Sequence, residues 1–184
     1  MPNAIICIDF INEIVGASGK LAGKGYRDFV IKHNTLANLA KEQAAMRSAG
    51  GYVIHVHLGF ASDYSDHPKT SLLLGGARGA GILKLETPST EIVQEVAPHD
   101  GDIVLVKKRI SAFYGTDLER KLRELNVGKV LLAGVATDLA VQSAARDAHD
   151  RDFEIEVVAN CCAAANETDH NTALDTMRKF AAIR

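Results

Sequence analysis

The sequence predicts an α/β fold: a mainly parallel sheet with helices on both faces. Three observations carry this. Short apolar runs alternate with longer stretches of helical spacing along the chain, a βαβ pattern that sets parallel strands beneath crossover helices. Runs such as Ala4 to Asp9 (AIICID) and Lys129 to Ala133 (KVLLA) are apolar without strict alternation, as strands covered on both faces are. No linker interrupts the 184 residues, a length that suits one domain, 1–184.

Ala4 to Asp9 is the expected first, central strand, with Asp9 at its carboxyl end. Phe10 to Gly25 is glycine-rich and reads as a loop. Arg27 to Ser48 places Phe29, Val30, Leu36, Leu39, Ala40 and Met46 at helical spacing and stops before Gly50-Gly51. Tyr52 to Leu58 (YVIHVHL) is the second strand. Phe60 to Thr87 is a long mixed segment, and a loop of that length in a compact domain is usually functional. It reads as a pocket wall or lid, with Arg78 available to an anionic substrate. Pro88 to Val96 fits a short helix with Ser89 as its cap. Gly101 to Lys107 is the third strand, and Asp117 to Leu125 is an amphipathic helix with Leu118, Leu122 and Leu125 on one stripe.

Lys129 to Asp147 (KVLLAGVATDLAVQSAARD) reads as a buried strand, a tight turn and a helix start. Gly134 ends the strand, and Thr137 or Asp138 is expected to cap the helix. The crevice at strand carboxyl ends, facing helix amino ends, is where parallel sheets bind ligands. Backbone N–H groups there suit an anion or a developing oxyanion. Asp9 and Lys107 are expected to converge on this turn. Glu154 to Ala159 is the fifth strand, with Cys161 and Cys162 just past its end. Glu167 to Phe180 is the last helix, and Ala181 to Arg184 begins a sixth short strand.

Composition narrows the function. Hydrophobic residues make up 47% and charged residues 24%, ordinary for a globular protein. A net charge of −2 without a basic run argues against a nucleic-acid partner. No apolar run approaches the ~20 residues of a membrane span, and no signal peptide is visible. Cys7, Cys161 and Cys162 form neither a CxxC pair nor a disulfide framework, which fits a reducing, cytoplasmic setting. His55 and His57 share one strand face, but a metal needs further ligands, and neither His67 nor His99 is favoured by spacing. No metal and no cofactor are expected.

Four pieces together resemble the isochorismatase-like hydrolase superfamily, also called the cysteine hydrolase family. They are IICIDFINEIV around Asp9, VKKRISAFYGTDL around Lys107, LLAGVATDLAVQSAARDAHD around Ala140, and VVANCCAAA after the fifth strand. The resemblance implies a Rossmann-like three-layer α/β/α sandwich, a small-molecule substrate and a homo-oligomer; the long Phe60 to Thr87 segment is the one expected to contribute to the interface. It also implies a site. Most members carry an Asp, Lys and Cys triad. The basic position, six residues before the phenylalanine of SAF, is Lys107 here, and the cysteine position holds Ala140. Alanine has no heteroatom, so no thioester can form there. The family's isochorismatases likewise lack the cysteine and protonate a vinyl ether through the aspartate. GVATDLAV, however, resembles the cysteine-type turn and lacks the tyrosine-alanine-histidine pattern of isochorismatases, so isochorismate is not assigned. The resemblance further implies an oxyanion hole from the N–H groups of Ala136 and Ala140, and a cis peptide at Val135–Ala136. Phe10, Tyr64, Arg78, Phe113 and Thr137 are the residues expected around the substrate. Three functions follow: a thiol-independent hydrolase using Asp9 and Lys107, an amidohydrolase carrying an inactivating Cys-to-Ala change, or a catalytically silent binder of a small ligand or partner.

Overall fold

The computed structural model describes residues 1–184. In chain order its regular elements are β1 (Asn3–Ile8), α1 (Asn12–Val15), α2 (Tyr26–Lys32), α3 (Thr35–Ser48), β2 (Tyr52–Leu58) and α4 (Ala77–Ala80). There follow β3 (Ile103–Lys107), α5 (Leu118–Glu124), β4 (Lys129–Val135), a π-helical turn (Thr137–Val141), α6 (Gln142–His149), β5 (Glu154–Ala163), α7 (Glu167–Met177) and β6 (Ala182–Ile183). The six strands form one sheet in the order β3-β2-β1-β4-β5-β6, and every pairing is parallel. From β1 the chain builds outward to β3, then returns to the other side of β1 for β4. That reversal opens a crevice at the carboxyl ends of β1 and β4, the place where such sheets bind ligands.

The apolar runs are buried on both faces. Ile5 and Cys7 of β1 and Leu131 and Ala133 of β4 belong to one core, shared with Phe29 of α2 and Leu39 of α3. Ala4, Ile6 and Ile8, with Val130 and Leu132, belong to the opposite core, shared with Leu122 of α5, Ala144 of α6 and Leu174 of α7. The sheet is thus the middle of three layers. Burying one such Ile or Leu side chain contributes about 1.5–3 kcal/mol, so β1 is anchored from both sides.

Several expected boundaries differ. The helix expected over 27–48 is two, broken at Asn34, which sits in the left-handed region with φ 52°. Asparagine tolerates that conformation because its short polar side chain bonds locally. The Phe10 to Gly25 segment is ordered by the buried carboxylate of Glu13, whose Oε1 accepts the N–H groups of Lys20 (2.9 Å) and Leu21 (3.3 Å). Pro88 to Val96 is not a helix but two short 3-10 turns. Between them Ile92 bridges Ile11, and the Val93 N–H donates to the Phe10 carbonyl, so tertiary pairing overrides local helix preference. β5 runs on to Ala163, which places Cys161 and Cys162 inside the strand rather than beyond it. A register shift between Leu132 and Gly134 lets Cys162 pair with Gly134.

Gly134 also sets how closely the π-helical turn packs on β1. A Cβ there would lie 2.8 Å from the Ile8 Cβ and 2.9 Å from Val141 Cγ2. Gly134→Ala is expected to cost about 1–3 kcal/mol by overpacking. Denaturant melts check this, and an unchanged midpoint would show that the turn can relax.

Candidate active site

Asp9 follows β1 directly and is in the left-handed region, with φ 61°. Its N–H donates to the Val56 carbonyl, which turns the carboxylate toward the strand ends. The side chain is 4% exposed, and Oδ1 accepts the Leu58 N–H at 2.7 Å. Oδ2 lies 2.7 Å from Lys107 Nζ, at the end of β3. The lysine side chain is 1% exposed and also donates to the carbonyls of Ile110 (2.7 Å) and Arg109 (3.3 Å). Two strand ends thus deliver a buried, fully hydrogen-bonded ion pair. β2 lies between β1 and β3, so the long lysine side chain spans its carboxyl end.

The pair shapes the acidity of Asp9. Burial raises its pKa above the usual carboxylate range. Lys107 and the Leu58 N–H pull it down without cancelling that rise. A carboxyl so placed holds its proton further toward neutral pH than an exposed one.

Asp9 and Lys107 line a cavity of about 280 Å³ together with Ala136 and Ala140. Ala140 is 4% exposed and lies in the π-helical turn after β4, and the Val135–Ala136 peptide is cis. The three strand ends singled out by the sequence therefore share one cavity. Its other walls come from the Phe10 to Gly25 segment, through Leu21 and Lys24, and from the Phe60 to Thr87 segment, through Leu74, Ala77 and Leu83.

The five residues expected around the substrate do not line this cavity. Phe10 is buried in the core beside β1. Tyr64 is buried too, its hydroxyl donating to the Ile82 carbonyl at 2.8 Å. Arg78 is exposed on α4, while its neighbour Ala77 faces the cavity. Phe113 lies in the opposite core and packs on Phe153. Thr137 is fully buried, and its Oγ1 lies 2.8 Å from His170 Nδ1 on α7. Neither Thr137 nor Asp138 caps the helix, because the turn is π-helical and α7 engages the threonine hydroxyl. Lys24, Tyr26 and Leu139 were missed as wall residues. Leu139 had a signal, since it precedes Ala140; Lys24, in a segment read as loop, and Tyr26, just beyond it, had none.

The remaining candidates lie elsewhere. Neither Cys161 nor Cys162 reaches the cavity, and burial pushes the Cys162 thiol up to about 12. The Cys161 thiol is raised as well, so neither is a ready nucleophile. His55 lies 3.8 Å from Asp102, which Arg47 engages through both carboxylate oxygens. Burial lowers the His55 pKa to about 4. His67 Nδ1 bonds the Tyr64 carbonyl at 2.7 Å. No three His, Cys, Asp or Glu side chains gather in an arrangement that would hold a metal ion. No helix is long and apolar enough to cross a membrane.

The model of the isochorismatase domain matches residues 3–184. The chain belongs to the isochorismatase family. It is 35% identical over 185 residues to PncA, an uncharacterised isochorismatase family protein of Bacillus subtilis (strain 168), covering 95% of this chain and 93% of that one. It is 28% identical to the ureidoacrylate amidohydrolase RutB of Variovorax paradoxus (strain S110), across 82% of this chain and 64% of the relative. Among solved structures, an isochorismatase family protein from Desulfovibrio vulgaris superposes with a TM-score of 0.87 at 28% identity, covering 98% of this chain and 93% of that one.

Proposed function

We propose that this family member hydrolyses a small metabolite through Asp9 and Lys107 without a cysteine nucleophile. The observation that carries the reading is the buried Asp9–Lys107 pair at 2.7 Å, opening on the same cavity as Ala140. Asp9 is the proton donor, because burial holds its carboxyl in the protonated form over a wider pH range. On an enol ether the Asp9 proton goes to the terminal alkene carbon, leaving an Asp9 carboxylate and an oxocarbenium ion. Water adds to that cation and returns a proton to Asp9. The resulting hemiketal collapses to a ketone and an alcohol. Lys107 steadies the carboxylate between the two transfers. Ala136 and Ala140 line the cavity, and on a carbonyl substrate their backbone N–H groups would serve the developing oxyanion whatever their side chains.

The test is a metabolite screen by thermal shift on the intact chain, followed by product analysis of each hit. A hit hydrolysed equally well by the Asp9→Asn variant would reject the reading.

A second reading is favoured by two observations. The turn around Ala140 resembles the cysteine type, and the chain is similar to a ureidoacrylate amidohydrolase. Here the chain is an amidohydrolase with alanine in the nucleophile's place, and Ala140→Cys restores a thiol to the cavity that holds Lys107. That variant is expected to gain a fast-alkylating, low-pKa thiolate and amidase activity. Iodoacetamide labelling rates check it. Labelling no faster than that of the buried Cys161 and Cys162 would remove this reading. A catalytically silent binder remains the third. Ligand-dependent stabilisation without any turnover would favour it.

A further inference from the structure

The cavity wall says what kind of molecule fits. Of its 19 lining residues, 15 are hydrophobic. The other four are Asp9, Lys107, Gly76 and Lys24. Asp9 and Lys107 are buried and engage each other, so they hold a reacting group at the floor. The Lys24 side chain is exposed and makes no hydrogen bond or ion pair with the chain, so it stands at the mouth as an unpaired cation. Asp9 is the only acid in the wall. No Ser, Thr, Asn, Gln, His or Arg side chain faces the space, and the Tyr26 phenol is the one remaining hydroxyl.

We infer that the substrate is a small apolar monoanion. Its reactive group sits at the Asp9–Lys107 floor, its hydrocarbon body lies against Leu21, Leu74 and Leu139, and its carboxylate meets Lys24 at the mouth. This inference rests on the reading of the cavity as a substrate site. The size is set by volume. An apolar cavity of about 150 Å³ accepts benzene. A cavity of about 280 Å³ therefore takes roughly ten to twelve non-hydrogen atoms, scaled from that benzene case. The polarity is set by desolvation. Away from the floor and mouth, a hydroxyl buried here has only the Tyr26 phenol as a side-chain partner, and an unmatched hydroxyl is rejected by up to about 100-fold in an apolar pocket. Sugar acids and other hydroxyl-rich metabolites are excluded on that ground. The charge is set by the wall itself. With Asp9 and Lys107 neutralising each other, Lys24 leaves the surface cationic, and with Asp9 protonated more so.

Calorimetric titration of the intact protein with three probes tests this: octanoate, its uncharged counterpart octanamide, and gluconate. Octanoate is expected to bind at least about tenfold more tightly than gluconate, since several unmatched hydroxyls separate them. Lys24→Met is expected to weaken octanoate about fivefold, the size of an exposed charge contact, and to leave octanamide within about twofold. The Lys24 side chain holds no hydrogen bond or ion pair, and its one backbone bond, to the Leu21 carbonyl, is untouched by the substitution, so the variant keeps its structure. Gluconate binding as well as octanoate, no measurable octanoate binding, or equal weakening of both eight-carbon probes by Lys24→Met would each overturn the inference. The hydrolase reading fails separately. Octanoate binding with no Asp9-dependent turnover of any substrate would reject that reading alone. Asp9-dependent turnover of a hydroxyl-rich substrate would reject the apolar assignment alone.

Discussion

Asp9→Asn is expected to lower kcat by about 100- to 10,000-fold, the usual contribution of a positioned proton donor. Asparagine keeps the shape of the side chain, and its amide oxygen still accepts the Leu58 N–H that Asp9 accepts at 2.7 Å. It removes the transferable proton and the charge facing Lys107. A loss in kcat with little change in KM separates chemistry from binding. The pH profile of the unaltered chain gives the complementary test, and its sign follows from the direction of the shift. Asp9 must be protonated to donate, and its pKa is raised above the ordinary 3.8. kcat/KM should therefore be highest at low pH and fall as pH rises through the Asp9 pKa, with a midpoint above 3.8. A rate that climbs through that range would make the Asp9 carboxylate a base and reverse the assigned role.

Lys107→Met carries the largest expected effect on stability. Removing one partner of a buried ion pair leaves the other charge without compensation, at a cost of about 3–5 kcal/mol. The pair is dry on both sides, with side chains 1% and 4% exposed, so solvent does not soften the loss. The loss should depend on pH. Lys107 is what pulls the Asp9 pKa down, so in its absence the pKa rises further above 3.8. The folded variant then holds a proton that the unfolded chain has released. Its stability is greatest below the unfolded value and declines as pH rises toward the folded one. Guanidinium melts at pH 5 and pH 8 would show the larger deficit at pH 8. Equal deficits at the two values would mean that Asp9 is not the group left exposed to the loss. The double variant Asp9→Asn/Lys107→Met should recover part of the stability, since no unpaired carboxylate remains.

Much of the architecture was legible in the linear chain because strands buried on both faces are written as unbroken apolar runs. β1 and β4 are of this kind, β2 alternates through His55 and His57 as well, and parallel pairing follows from the helices between them. Where burial is one-sided or set by contacts remote in sequence, the reading slipped. Pro88 to Val96 has helical composition, yet its backbone is drawn into pairing with Ile11 and Phe10. The break at Asn34 depends on a single left-handed residue inside a continuous helical pattern. Cys161 and Cys162 fall within β5 because a register shift against β4 lengthens the pairing.

The site divides along the same line. Asp9 and Lys107 close β1 and β3, and parallel topology brings such strand ends to one rim, so the sequence by itself pointed to their meeting; Ala140, in the turn after β4, was picked out by the family resemblance. Phe10, Tyr64, Arg78, Phe113 and Thr137 were named for neighbourhood in sequence, and only the tertiary structure decided that their side chains lie away from the cavity. A loop residue's direction depends on what the rest of the chain packs against it. His170 holds Thr137 from a helix 33 positions away, and the Ile82 carbonyl holds Tyr64 from 18. The protonation bias of Asp9 is likewise a tertiary property: it is a balance between burial and Lys107, and neither the depth nor the distance is written in the order of residues.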